Sequence, residues 1–185
     1  MEIETDSRFQ LRLLNEKDAA GMLALDLRNR VFFEKTAATR ESAYYTLEQH
    51  VKMLADLCVK AEHGTAYMFG IFIDNELNGC ISITNIIYGP LCSGMLGYYL
   101  DERYNGCGIM SAAVRLVLKF GFEELKLHRI EAGAMERNAG SVHVLKKNGF
   151  IVEGTNRKNV NINHQWEDHL MLAVLKEEWE EQFNV

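Results

Sequence analysis

Residues 96–111 read Leu96-Gly97-Tyr98-Tyr99-Leu100-Asp101-Glu102-Arg103-Tyr104-Asn105-Gly106-Cys107-Gly108-Ile109-Met110-Ser111: an apolar strand, a glycine-containing turn and the start of a long helix. Gly106 and Gly108 tolerate positive φ and lack the Cβ atoms that would block a close approach. The N–H groups from about Cys107 to Met110 can then cradle an anion, helped by the positive end of the helix dipole, and Arg103 is spaced to add a full charge. Such a site suits a phosphate or pyrophosphate, although two glycines before a helix also serve a plain tight turn. A Rossmann dinucleotide turn does not fit. Five residues separate Leu100 from Gly106, two helices and three strands precede, and no acid occupies the ribose position. There is no GxxxxGK[ST], so a P-loop is also excluded.

Upstream of this stretch, Phe9 to Leu14 alternates as a strand, and an Asn15 cap leads into an apolar-periodic helix through Leu27. A second helix is expected at about 40–60, then strands at 67–73, 77–88 and 95–100. Downstream, the spacing predicts a helix over 108–127, a strand at 129–135, a helix at 138–148 closed by Gly149, and strands at 150–160 and 166–175. The order β-α-α-β-β-β-α-β-α-β-β implies a mixed sheet with helices on its faces, not a doubly wound one. Trp166 and Trp179 sit in apolar patterns and read as packing residues.

At 185 residues without a linker or repeat, residues 1–185 are expected to form one domain. The 20 Lys and Arg against 26 Asp and Glu leave a net charge of −6 at pH 7. That argues against nucleic-acid binding, which rests on neutralising phosphates, but leaves open small anions held by backbone N–H groups. No signal peptide and no membrane span are expected, since the opening residues carry acids throughout and no apolar run reaches about 20 residues. Cys58, Cys80, Cys92 and Cys107 show no CxxC, and the six histidines no HExxH. A reduced, metal-free cytoplasmic protein is the expectation.

Arg103-Tyr104-Asn105-Gly106-Cys107-Gly108 resembles the Q/R-x-x-G-x-G/A signature with which GCN5-related N-acetyltransferases (GNAT) bind the pyrophosphate of acetyl-CoA. Gly97-Tyr98, Asn138-Ala139-Gly140-Ser141, Lys147-Asn148-Gly149-Phe150 and Asp168-His169 followed by Leu175-Lys176-Glu177-Glu178-Trp179 are similar to one branch, the RimJ/RimL type. That branch acetylates protein N-termini, notably of ribosomal proteins. The likeness covers nearly the whole chain and is weaker over 28–64, where the branch builds its acceptor pocket.

The resemblance implies an α/β (α+β) fold: a mixed, mostly antiparallel twisted sheet of about seven strands flanked by helices. It implies acetyl-CoA as cofactor, its pantetheine arm lying in a splay between the strands at 95–100 and 129–135, along Tyr98, Tyr99 and Leu100. Arg103, Gly106, Cys107, Gly108, Ile109 and Met110 would hold the pyrophosphate, and Asn138 and Ser141 would contact the cofactor, unless they merely cap their helix. A backbone N–H near Tyr99 would stabilise the oxyanion, and Ser141 would protonate the departing thiolate, with Tyr98 or Tyr99 as substitutes. The acceptor amine attacks directly, so Cys107 is not expected to act as a nucleophile. A homodimer is compatible with the likeness.

Many members of the branch carry Glu two residues before the strand's Gly-Tyr; this chain has Met95. Glu34, Glu41, Glu48 and Asp168 stay unranked as bases, and His169 reads as structural. An α-amine with a pKa of about 8 is roughly a tenth neutral at pH 7, a lysine near 10.4 less than about one part in a thousand. Weak base catalysis therefore favours a protein N-terminus as acceptor. A small amine, a non-catalytic acyl-CoA-binding module and a nucleotide-binding regulator are the alternatives. The acidic surplus is expected to draw a cationic acceptor.

Overall fold

The computed structural model describes residues 2–183. Its strands are β1 (Glu2–Asp6), β2 (Phe9–Leu13), β3 (Tyr67–Ile73), β4 (Glu76–Ile87), β5 (Ser93–Leu100), β6 (Arg129–Ala134), β7 (Ile151–Ile162) and β8 (Gln165–Leu175). The helices are α1 (Ala19–Arg28), α2 (Arg30–Phe33), α3 (Leu47–Glu62), α4 (Ile109–Lys119), α5 (Ala139–Lys147) and α6 (Lys176–Phe183). All seven expected strands are present, and β1 adds an eighth. They form one sheet in the order β1-β2-β3-β4-β5-β6-β8-β7, antiparallel except between β5 and β6.

The period-2 pattern of β3 and β4 divides the core. Phe69, Ile71, Ile73, Ile81 and Ile83 are buried under α4, whose Met110, Ala113, Val114 and Val117 repeat at three- and four-residue spacing. Phe72, Leu77 and Cys80 face the other way, onto Met22 and Leu25 of α1, Phe33 of α2 and Leu54 of α3. Each such side chain contributes about 1.5–3 kcal/mol by leaving water. The sheet is thus covered on both faces, which leaves its middle as the place where strands can part.

Several expectations need correction. The helix predicted over 108–127 ends as an α-helix at Lys119 and widens into a π turn over Phe120–Glu124, where Phe120, Gly121 and Phe122 are all buried in the core. The helix predicted from about residue 40 begins at Leu47, capped by Thr46, whose Oγ1 accepts from Gln49 N–H (3.3 Å). Trp179 is buried as expected, but Trp166 is 61% exposed on the β7–β8 hairpin.

Candidate active site

β5 and β6 pair over three positions only, Ser93↔Arg129, Gly94↔Ile130 and Met95↔Glu131. Beyond Met95 each strand keeps its outer neighbour: β5 runs with β4 to Leu100, and β6 with β8 to Ala134. The two therefore part. Asp101 N–H donates to Asn78 O (2.7 Å), and bonded pairs alternate along an antiparallel ladder. With Cys80↔Tyr99 and Ile81↔Tyr98 in register, the main-chain groups of Gly97 and Tyr99 face β4. Those of Tyr98 and Leu100 face the gap. The donors open to an extended ligand thus flank Tyr99, whose own N–H is committed to β4.

One wall of the gap is the glycine turn. Gly106 and Gly108 hold φ of 76° and 75°, a left-handed backbone that a Cβ would strain. Ala112 N–H makes the bond to Gly108 O, so the first-turn N–H groups of α4 point out of its end. A groove of about 490 Å³ runs from this turn past Met110 and Ser111 to Tyr98, Leu100, Asn138 and Ser141. Ile109, by contrast, is buried in the core, and the exposed Cys107 turns its Sγ to Asn105 O (3.7 Å).

Arg103 is turned toward other partners. Its Nε and Nη2 donate to the two Asp101 oxygens (both 3.0 Å), and Nη2 also reaches Asn78 Oδ1 (3.1 Å). It lines a separate depression beside Arg28, so its charge is not delivered to the glycine turn. Burial works against the Asp101 carboxylate, but Arg103, Arg28 and Asn29 outweigh it and hold the group well below the usual range. The cations beside the turn come from elsewhere. Arg8, whose Nη1 donates to Cys107 O (3.2 Å), Arg115 and Lys147 line an adjoining depression of about 400 Å³. No motif in the sequence marked Arg8 or Arg115, and Lys147 stood in the Lys147-Asn148-Gly149-Phe150 stretch without a role at the turn.

At its inner end the groove meets a second cavity of about 160 Å³, and Phe33, Tyr98, Tyr99, Asn138 and Ser141 line both. Tyr98 Oη lies 2.9 Å from Ser141 Oγ and donates to Ser141 O (3.2 Å). Burial pushes the Tyr98 phenol up to about 12, with the Ser141 bond lowering it in part, so it keeps its proton at neutral pH. Asn138 caps α5 by accepting from Ser141 N–H (3.3 Å), which fixes Ser141 at the junction. Capping and site geometry are here the same contact. The Tyr99 ring packs edge-on against Phe33 (5.1 Å), and burial raises its phenol well above the usual value.

The far wall of the cavity was not legible as a site. Thr36, Ala37 and Arg40 line it from the irregular segment between α2 and α3, with Gly133 and His169 from the sheet. Arg40 is anchored by the fully buried Asp26 (3.2 Å), which also accepts from Tyr44 Oη (2.7 Å) and meets His50 Nε2 (3.0 Å). Burial opposes the Arg40 charge, but Tyr44 and Asp26 outweigh it and raise its pKa. The lining of this cavity contains no Asp or Glu, so the chain's acidic surplus is not gathered here. Glu34 pairs instead with Arg30 (2.8 Å), Glu41 and Glu48 are exposed, and Asp168 accepts from Lys158 N–H (2.7 Å).

A parted pair of central strands, a glycine cradle at a helix start and a hydroxyl pair where two cavities meet define an acyl-CoA-dependent acyltransferase. The Acetyltransferase (GNAT) domain description matches residues 8–151, and the chain belongs to the GNAT family of N-acetyltransferases. Within that family it is of the RimJ/RimL type. It is 48% identical, over 89% of this chain and 92% of the relative, to the Bacillus subtilis protein named Probable N-acetyltransferase YjcK. The crystal structure of ribosomal-protein-S5-alanine acetyltransferase from Vibrio fischeri superposes with a TM-score of 0.92 at 32% identity, covering 97% of this chain and 98% of that one. Mycobacterium smegmatis RimJ in complex with CoA-disulfide follows at 0.88 and 29%, over 92% and 83%. Acetyl-CoA fits the residues present: a Cβ at Gly106 would meet nothing within 4 Å, and the groove leads from this open cradle to the hydroxyl pair.

Proposed function

We propose that the enzyme acetylates the N-terminal α-amine of a protein, a ribosomal protein in the first instance, by direct attack within a ternary complex in the cytoplasm. The observation that carries this reading is the wall of the 160 Å³ cavity, which offers aromatic rings, small residues and Arg40 but no carboxylate. A polyamine or aminoglycoside brings several charges that need carboxylate partners once desolvated. A peptide N-terminus brings one amine, which a nearby guanidinium favours in its neutral, nucleophilic form. Arg40 can also donate to the first peptide carbonyl.

Acetyl-CoA supplies the acetyl thioester. In this reading Gly106, Gly108 and the first-turn N–H groups of α4 take the pyrophosphate, with Arg8, Arg115 and Lys147 adding charge for the remaining phosphate. The outward main-chain groups of Tyr98 and Leu100 hold the pantetheine arm and present an N–H to the thioester oxygen. Ser141 Oγ, coupled to Tyr98 Oη at 2.9 Å, returns a proton to the leaving sulfur. The test is an acceptor panel with acetyl-CoA. Turnover of N-terminal peptides and none of spermidine or kanamycin is expected; the opposite selectivity would overturn the proposal, and no turnover with any amine would favour a binding module.

A further inference from the structure

We propose that His169, on β8, is the proton acceptor for the attacking amine, in place of the carboxylate that Met95 removes. The cavity at the junction is about 7 Å across if taken as a sphere, so an amine inside it lies within direct or one-water reach of polar groups on its wall. The titratable groups on that wall are Arg40, Tyr98, Tyr99 and His169. Arg40 is a permanent cation, and both tyrosines hold their protons far above neutrality. His169 is the one imidazole among them, a side chain whose ring nitrogen can accept a proton and return it.

Its setting supports the role. The ring is 8% exposed, and Nδ1–H donates to Glu167 O (3.4 Å), which leaves Nε2 as the basic nitrogen. The groups around it are Tyr98 and Tyr99 from β5, Arg40 from the segment before α3, Gly133 from β6 and Asn156 across from it on β7. On its own strand, Glu167 is paired with Arg137 (2.7 Å) and Asp168 with Lys158 N–H. The lining that His169 shares holds Arg40 and no Asp or Glu.

The balance closes. The amine nitrogen bonds to the acetyl carbon, the carbon–sulfur bond breaks, the surplus amine proton passes to His169 Nε2, and the thiolate takes one from the Ser141–Tyr98 pair; release of the His169 proton to solvent and uptake of one by the pair then restore the enzyme. The proposal rests on acetyl transfer to an amine, not on which amine, so the acceptor is whichever one the enzyme turns over fastest. His169→Gln and His169→Asn should each lower kcat about a hundredfold while leaving acetyl-CoA affinity unchanged. With a low-pKa amine, neutral across the range, the wild-type enzyme should still lose kcat/KM on the acid side, and the variants should lack that limb. Variants within threefold of wild type, or a loss matched by weaker acetyl-CoA binding, would overturn the assignment. So would a wild-type profile with no acid limb, a result that requires no variant to fold. Acceptor selectivity in the panel is a separate readout, so failure here is distinguishable from failure of the N-terminal reading.

Discussion

In the proposed mechanism the chemistry turns on Tyr98 and Ser141, whose 2.9 Å contact sits where the larger groove meets the smaller cavity. Ser141→Ala and Tyr98→Phe are expected to reduce kcat about a hundredfold while acetyl-CoA binding, measured by calorimetry, stays near wild type. Gly108→Val acts on the other substrate. Its φ of 75° costs a β-branched residue about 1–2 kcal/mol, so acetyl-CoA affinity should fall about tenfold or more. Arg103→Ala should leave that affinity unchanged, because the guanidinium is engaged by Asp101 and Asn78; Lys147→Ala should weaken it and flatten its salt dependence. The sequence placed Arg103 correctly in the motif but could not say which way it turns. Asp101, two residues earlier, claims it, and Asp101 is in turn tied to Arg28, 73 residues away.

At the level of elements, β5 carries the site because it keeps β4 and loses β6. Gly79 makes that close fit workable: a Cβ there would stand 2.9 Å from Tyr99 O and 2.8 Å from Leu100 Cδ1. Gly79→Ala is therefore expected to cost about 2 kcal/mol and to lower activity more than a mutation of equal cost far from β5, as denaturant titration and kinetics would show. The strands around this point were legible because alternation over five or more residues leaves little ambiguity, and the glycine turn because its chemistry is local. What escaped was set by distant partners. The segment between α2 and α3 has no period, yet Asp26 fixes it through Arg40, Tyr44 and His50. The π turn after α4 arises from Phe120 and Phe122 reaching the core together, and Trp166 lies exposed near the tip of the β7–β8 hairpin, paired with Asn161. His169 looked structural in sequence because nothing local tells that β8 passes the acceptor cavity.

Across the whole molecule, two ion pairs fasten α1 to the sheet: Asp18, just before it, accepts two bonds from Arg12 of β2 (2.9 and 2.6 Å), and Arg28, at its end, reaches Asp101 after β5 (2.6 Å). Burial opposes both carboxylates, but their arginine and backbone donors outweigh it and lower both pKa values. Protonation therefore costs more in the folded state than in the unfolded chain, where a carboxyl titrates near 3.9. The stability they add is complete above that value and is lost as pH falls below it. Asp101→Asn should lower Tm at pH 7, and the gap from wild type should begin to narrow only as pH falls below about 3.9. The net charge of −6 is carried away from the smaller cavity, whose lining holds no Asp or Glu and which the proposal assigns to the acceptor. That separation is why the account centres on a single neutral amine. Its most direct test is tandem mass spectrometry of one peptide bearing a free N-terminus and an internal lysine, after limited turnover with acetyl-CoA. Acetylation of the α-amine alone is expected; acetyl groups on the lysine with the N-terminus unmodified would contradict the N-terminal assignment.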